Sequence, residues 1–411
     1  MAHSPASLEG RRTAVIGAGV VGLATAYALA RRGARVHVFD RGSGPATGTS
    51  FANGAQLSYA YTDAMAGPAI WRQLPGLLLG RDRAFRARSS LDLDYLRWGL
   101  AFLRNATGAR WRRNTLEVLA LAGQSQAAMD ALLERHAIDF GHRVAGKLHV
   151  YYRPAALEAA RAVVALKRDH GVQQRLVDAR EAVRIEPALA GATGIAGAVY
   201  SPGEAVGDPW RFATGLLEVL QGQYAVQARF GQAVAGLQRD GRHWQVLDGT
   251  GAGAPFDHVV VCTGIDASRL LRPLGVRVPV MAVKGYSFTA PCGPQAPQAS
   301  ITDTARKLVF ARLGDRIRVA GLAEVNEWDP RPEPARVRDL VDLARASLPG
   351  AADYDAVASH WAGLRPVTPT SVPVIRAAAP GLTLNLGHGM LGWTLAMGSA
   401  ERVADLLRHA D

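Results

Sequence analysis

Val15-Ile16-Gly17-Ala18-Gly19-Val20-Val21-Gly22 decides how this chain folds, because a buried strand turns into a helix there and three glycines meet at the turn. Each glycine has its own reason. The first permits the tight turn, the second lets backbone approach a pyrophosphate, and the third lets the helix press on the strand. Phosphates held at such a turn lie at a helix N-terminus, where unpaired N–H groups and the helix dipole favour negative charge. A glycine pattern alone is a weak signal, so its surroundings carry the argument. Residues 13–16 are a short apolar run, residues 20–30 an Ala/Leu-rich stretch suited to a helix, and Gly33 a stop signal. Arg35-Val36-His37-Val38-Phe39 alternates towards a second strand, and Asp40 at its end is placed to accept both hydroxyls of a ribose. An arginine there would favour a 2′-phosphate instead. Arg11-Arg12 and the apolar stretch closing on Ala28-Leu29-Ala30 also have the outline of a secretory signal. A signal, however, has no use for this glycine spacing or for a strand ending in Asp directly after it.

With 411 residues, 48% of them hydrophobic, the chain suits two domains, or one nucleotide domain carrying large insertions. No uninterrupted apolar run approaches the ~18–20 residues that cross a bilayer. The expectation is a soluble cytoplasmic protein, or one resting peripherally on the inner face of the membrane. Cys262 and Cys292 are the only cysteines and neither has a partner at metal or redox spacing, so neither a metal site nor a disulfide scaffold is implied. The net charge of +12 favours anionic partners. Arginines concentrate at Arg81, Arg83, Arg86, Arg88, Arg110, Arg112 and Arg113. No nucleic-acid fold signature accompanies them, so a solvated Arg-rich surface is the first reading and attachment to an anionic membrane the second. Residues 70–79, with Trp98, Phe102 and Trp111, mix apolar and basic groups as an interfacial segment does, although packing within the domain also accounts for them.

Further along, residues 91–103 and 116–136 read as helices, 147–152 as a strand, 154–170 as a helix and 181–189 as a short helical or turn segment. Asp208 and Pro209 open another helix, running to Leu220, as N-cap and first residue. Residues 224–230 and 236–247 read as strands. The apolar run ending in Val259-Val260-Val261 suits a parallel strand buried on both faces, and Thr263-Gly264 beyond it lets backbone come close to a ligand. Following a complete N-terminal fingerprint, this points to the two-part nucleotide domain of flavoproteins rather than to a dehydrogenase reading NAD. From residue 278 to 323 the pattern becomes alternating strands, predicting an inserted antiparallel sheet that walls a substrate site. Residues 382–386 then give a strand, Gly387 to Gly392 a glycine loop, and 393–407 a helix.

Taken together, these residues resemble the FAD-dependent D-amino acid dehydrogenases within the D-amino acid oxidase and glycine oxidase superfamily. The resemblance covers nearly the whole chain. Its pieces are the Gly17 to Gly22 turn, Thr49-Ser50-Phe51-Ala52-Asn53-Gly54-Ala55-Gln56, Lys147-Leu148, and residues 279–287 and 316–324. Most specific are Trp361-Ala362-Gly363-Leu364-Arg365-Pro366 and Gly387-His388-Gly389-Met390-Leu391-Gly392-Trp393-Thr394. The resemblance implies an α/β fold: a Rossmann-like FAD-binding domain from residues 1–60, 200–275 and 364–411, with an inserted antiparallel-sheet α+β substrate domain from 61–199 and 276–363. It implies FAD as cofactor, with Ser50, Asn53 and Gln56 near the isoalloxazine. Gly387, His388, Gly389, Leu391, Gly392 and Thr394 would wrap the ring, and Gly17, Gly19, Val20, Val21, Gly22, Asp40, Arg41, Val234, Thr263 and Gly264 complete the set. Backbone positioning ranks first for His388, ahead of a structural role or a catalytic acid.

Arg365 is implied to grip the substrate carboxylate, a task for which a planar guanidinium offers two parallel donors. Tyr286, Glu324 and Gln56 are candidates for lining the substrate pocket; for Tyr286 and Glu324 the alternative is an ordinary place in the sheet. No certain catalytic side chain emerges. Relatives often continue after the arginine with an Asp-Gly turn, whereas this chain reads Val367-Thr368-Pro369-Thr370-Ser371-Val372-Pro373-Val374-Ile375-Arg376. Gly363 stands where sarcosine oxidases carry the cysteine that bonds flavin, so non-covalent FAD is expected. The implied activity is oxidative deamination of D-amino acids to 2-oxo acids and ammonia, with electrons passed to a quinone or other acceptor. Alternatives are oxidation of secondary or cyclic amines such as glycine, sarcosine, D-proline or hydroxyproline, with oxygen as acceptor, or a flavin-holding subunit of a larger complex.

Overall fold

The computed structural model describes residues 8–72, 76, 83–251 and 253–409. Two sheets organise it. The first has six strands in the order Gln227–Arg229, Arg35–Phe39, Arg12–Ile16, His258–Val261, Leu382–Leu386 and Val374–Ala379. Its first five strands are parallel, and the last returns antiparallel beside its neighbour. The strand Arg12–Ile16 is paired on both edges, to Arg35–Phe39 and to His258–Val261, which is why Ala14 and Val15 read as apolar residues with no exposed alternation.

The helix Val20–Ala30 follows as expected. All its residues but Val21 are buried, with Leu23 and Tyr27 in one core cluster with Trp393, Leu395 and Phe212. An all-round apolar helix is a buried one. Asp208 caps the helix Pro209–Tyr224, its carboxylate accepting from the N–H groups of Trp210 and Arg211 at 2.9 and 3.2 Å. That helix runs a turn past Leu220 and stops only where Ala225 turns left-handed, at φ +51°, so the following strand shrinks to Gln227–Arg229. Residues 236–247 form not one strand but a hairpin, Gly236–Asp240 against His243–Leu247, turning at Gly241 with φ +57°. A two-residue turn hides inside an alternating pattern.

The second sheet has nine strands and draws on far more of the chain than residues 278–323. Its order is Ser359–Val367, Met281–Pro291, Arg316–Val325, Leu308–Leu313, Ser300–Asp303, Lys147–Tyr151, Gly197–Ser201 and Arg175–Asp178, with Phe85–Ala87 also paired to Arg316–Val325. It is mostly antiparallel; Ser300–Asp303 with Lys147–Tyr151, and Arg316–Val325 with Phe85–Ala87, are parallel. The helix Pro334–Ser347 covers one face, packing Leu340 and Ala344 in a cluster with Tyr286 and Phe288.

No helix among the described residues is long and apolar enough to cross a membrane. In the helix Leu93–Asn105, Trp98 and Phe102 stack on each other and pack inward, and Trp111 Nε1 donates to Ala64 O at 3.1 Å. These aromatic groups therefore pack within the protein rather than facing outward. Leu91, Leu93, Leu96 and Leu100 are the exposed apolar groups instead. Most of the 70–79 stretch lies outside the described residues, although Trp71 is exposed.

Candidate active site

A single cavity of about 1510 Å³ runs from the glycine turn to the second sheet. That exceeds the roughly 300–1,000 Å³ of an ordinary small-molecule pocket, leaving room for a dinucleotide and a second small molecule. At one end the turn is built as its sequence predicts. Gly17 has φ +106°, and a Cβ there would lie 2.7 Å from Cys262 O. A Cβ on Gly22 would overlap Gly17 O, so the helix touches the strand backbone directly. Gly22 accordingly does not line the cavity, whereas Gly17, Gly19, Val20 and Val21 do. Asp40 Oδ2 accepts from Ala18 N–H at 2.6 Å and Oδ1 from Gly42 N–H at 2.7 Å, so this carboxylate also fastens the turn. A carboxylate has further lone pairs with which to accept from a ligand in the cavity. Arg41 borders the cavity but is ion-paired to Asp266 at 2.8 Å.

Ser50, Asn53, Val234, Thr263 and Gly264 all reach the cavity wall. Thr263 Oγ1 and His388 Nε2 are buried there without a hydrogen-bond partner among the described residues. Burial moves the His388 pKa down to about 3, so its ring is neutral at ordinary pH. Two orphaned polar atoms beside a glycine turn and a loop of Gly387, Gly389 and Gly392 fit a polar, phosphate-bearing aromatic cofactor. The loop is anchored by a backbone bridge between Val367 and His388, and Thr394 Oγ1 accepts from Ser58 N–H at 3.0 Å. Leu391, Gly392 and Thr394 also line the cavity.

At the other end lies Arg365. On the strand Ser359–Val367, Trp361, Gly363 and Arg365 share one face, opposite Ser287, Gly285 and Val283 respectively. A Cβ on Gly363 would overlap the Trp361 indole, and one on Gly285 would overlap the Arg365 guanidinium, so both side chains lie flat over bare backbone. Arg365 Nη1 donates to Leu322 O at 3.0 Å. The guanidinium is half-buried at the cavity wall, and burial moves its pKa down, to about 10, with no carboxylate among the described residues beside it to offset that. A desolvated cation without a counter-ion is costly unless a ligand supplies one.

The other expected pocket residues divide. Gln56 lines the cavity, bonded to Ser300 Oγ and accepting from Lys147 Nζ at 2.9 Å. Tyr286 borders it, but its hydroxyl is turned elsewhere, donating to Glu324 Oε2 at 2.9 Å. Glu324 does not reach the cavity: its other oxygen takes Arg336 Nε at 2.6 Å, and that arginine is fully buried. The two side chains occupy the helix-covered face of the sheet, the one that alternation assigns to Lys284, Tyr286 and Phe288 and not to Gly285. Lys147, missed as a site residue, lines the cavity and donates to Ser58 Oγ at 2.6 Å; burial moves its pKa down to about 8. Its signals were a lysine opening an apolar strand and a place among the pieces of the family resemblance. The departures after Arg365 are local. Thr368 Oγ1 donates to Val372 O at 2.9 Å in place of an Asp-Gly turn, Ser371 Oγ accepts from Met65 N–H, and Arg376 is exposed on the edge strand.

Buried histidines make stability pH-dependent. His258, bonded to Thr383 Oγ1 at 2.9 Å, has its pKa lowered by burial to about 4, and His388 behaves alike. A ring with a depressed folded pKa takes its proton only on unfolding, so stability is intact above the ordinary value near 6.5 and falls as pH drops towards 4. The loss is about 3 kcal/mol per ring at pH 4. His258→Gln is expected to flatten the fall in melting temperature between pH 7.5 and 4.5; an unchanged slope would contradict the buried neutral ring.

The chain belongs to the DAO family of FAD-dependent oxidoreductases, whose family model matches residues 12–406. FAD is its cofactor, and the residues around the glycine turn fit it. Among curated proteins, D-amino acid dehydrogenase 2 of Ralstonia nicotianae is 44% identical over 405 residues, covering 96% of this chain and 95% of that protein. D-amino acid dehydrogenase of Paramagnetospirillum magneticum is 40% identical, covering 96% and 94%. Among solved structures, glycine oxidase from Geobacillus kaustophilus shares the fold with TM-score 0.76 at 21% identity, covering 98% of this chain and 96% of that one. L-proline dehydrogenase from P. horikoshii gives TM-score 0.75 at 17% identity, covering 97% and 93%.

Proposed function

We propose that this enzyme oxidises D-amino acids to 2-oxo acids and ammonia, with Arg365 as the group that grips the substrate carboxylate. The observation that carries this reading is the half-buried guanidinium at the cavity wall, lying across Gly285 with no carboxylate among the described residues beside it. FAD, held non-covalently by the glycine turn, Asp40 and the Gly387 to Gly392 loop, supplies a two-electron acceptor for the hydride on Cα. The protein's own residues bind and orient. Two parallel donors from Arg365 fix the carboxylate, and proximity then does most of the work. The substrate must shed its ammonium proton to leave an imine when the hydride departs, and water hydrolyses that imine. His388, neutral and unpartnered, positions the cofactor loop instead of acting as an acid. The D configuration is supported by the names of the curated relatives.

Anaerobic addition of D-amino acids is expected to bleach the flavin's visible absorbance while the L enantiomers leave it coloured. A yellow protein that no D-amino acid bleaches would sink the assignment. Electrons then go to a quinone. The apolar face of Leu91, Leu93, Leu96 and Leu100, with Arg97 and Arg104 on the same helix, supports docking on an anionic membrane where quinones reside. Reduced enzyme should reoxidise with a soluble quinone without forming peroxide in air, and should sediment with anionic but not neutral vesicles. Peroxide at the turnover rate would assign an oxidase.

A further inference from the structure

Arg365 is held by an irregularity in the neighbouring strands. Between Met281–Pro291 and Arg316–Val325 the register runs Lys284 with Glu324, then Tyr286 with Gly321, so Leu322 and Ala323 together oppose Gly285 alone. This is a β-bulge, a device that re-aims groups beside functional sites. Within it Leu322 has φ +58°, a left-handed conformation that bulky side chains rarely adopt. Its side chain is buried in the core beneath the sheet, and the next residue is pinned by Ala323 N–H donating to Ala84 O at 2.8 Å and by pairing with Phe85. The strained residue is thus fixed on both sides, and its carbonyl accepts Arg365 Nη1 at 3.0 Å. On the opposing strand, a Cβ on Gly285 would overlap Arg365 Nη2 and Cζ and lie 2.6 Å from Nη1.

We propose that this bulge sets carboxylate recognition: Gly285 provides the slot and the left-handed Leu322 the anchor, making both positioning residues that act through Arg365. The inference rests on the reading of Arg365 given above. A guanidinium has five N–H donors in one plane. Anchoring one to Leu322 O over a bare Cα fixes the plane and leaves the others for a ligand. Neither residue touches the reacting atoms.

A double-mutant cycle tests it, read by the anaerobic flavin bleaching constant and by KM for D-alanine in the FAD-loaded protein. Gly285→Ala is expected to raise both about 100-fold with kcat lowered much less, and to change them less than twofold in an Arg365→Ala background. FAD content should match the parent throughout. An equal penalty in both backgrounds would overturn the slot while leaving Arg365 in its role. An Arg365→Ala protein that binds D-alanine normally would overturn both readings. If Gly285→Ala does not fold, rescue of the Arg365→Ala protein by small cations decides. Millimolar guanidinium should restore D-alanine binding at least tenfold better than methylammonium, because the slot is planar; equal rescue, or none, overturns the proposal.

Discussion

Arg365→Ala is expected to lower kcat/KM for a D-amino acid by roughly 30- to 4,000-fold. Removing one partner of a desolvated charge pair costs about 2–5 kcal/mol, and each ~1.4 kcal/mol is a factor of ten. The loss should fall on KM as well as kcat, since the same contact both binds the substrate and aims its Cα–H bond. Arg365→Lys should recover little of it, because an ammonium is a point charge without the planar fork. FAD content should not change, as Arg365 bonds Leu322 O in the second sheet and not the glycine turn. The charge also predicts a pH limb. With its pKa brought down to about 10, the guanidinium is protonated below that value and binds carboxylate there, so KM for the parent enzyme should climb as pH rises through 10. An Arg365→Ala enzyme within threefold of the parent, or a KM that falls at high pH, would remove the carboxylate role.

The second large effect is expected at Gly22. A Cβ at this position overlaps Gly17 O, a backbone atom that no rotamer change can move, so Gly22→Ala must push the helix Val20–Ala30 off the strand Arg12–Ile16. Overpacking of this kind costs about 1–3 kcal/mol in stability, and the displaced turn loses its alignment with a pyrophosphate. Purified Gly22→Ala should be nearly colourless, with FAD affinity reduced roughly 100-fold or more and helix content by circular dichroism close to the parent's. Gly44→Ala serves as the control, because a Cβ there meets nothing. A yellow Gly22→Ala protein with full cofactor content would show that the close approach is dispensable.

The cofactor end was legible because each requirement there is local. A turn, a helix start and an acid at a strand end all fall within the first forty residues, and their spacing is set by backbone geometry. The helix Val20–Ala30 and the strand Arg35–Phe39 match the expectation residue for residue. The substrate end was harder. Its sheet joins Phe85–Ala87, Lys147–Tyr151 and Gly197–Ser201 to strands far along the chain, and no local pattern announces such pairings. The family resemblance pointed to Arg365 but not to what holds it. Which face Tyr286 and Glu324 take depends on register, and the bulge at Leu322 resets that register in a way alternation does not record. Gly285 gave no signal as a site residue, since its contribution is empty space.

The backbone bridge from Val367 to His388 gives the two halves of the cavity a shared hinge pin. Arg365 sits two residues before one end of it, and the glycine loop proposed to hold the flavin contains the other. Any transplant of a relative's substrate sheet onto this nucleotide scaffold must therefore keep that stitch, or the chimera will load flavin yet present its arginine out of aim. Phe85 and Trp361 also line the cavity and take no part in that bridge, so substitutions there leave the stitch untouched.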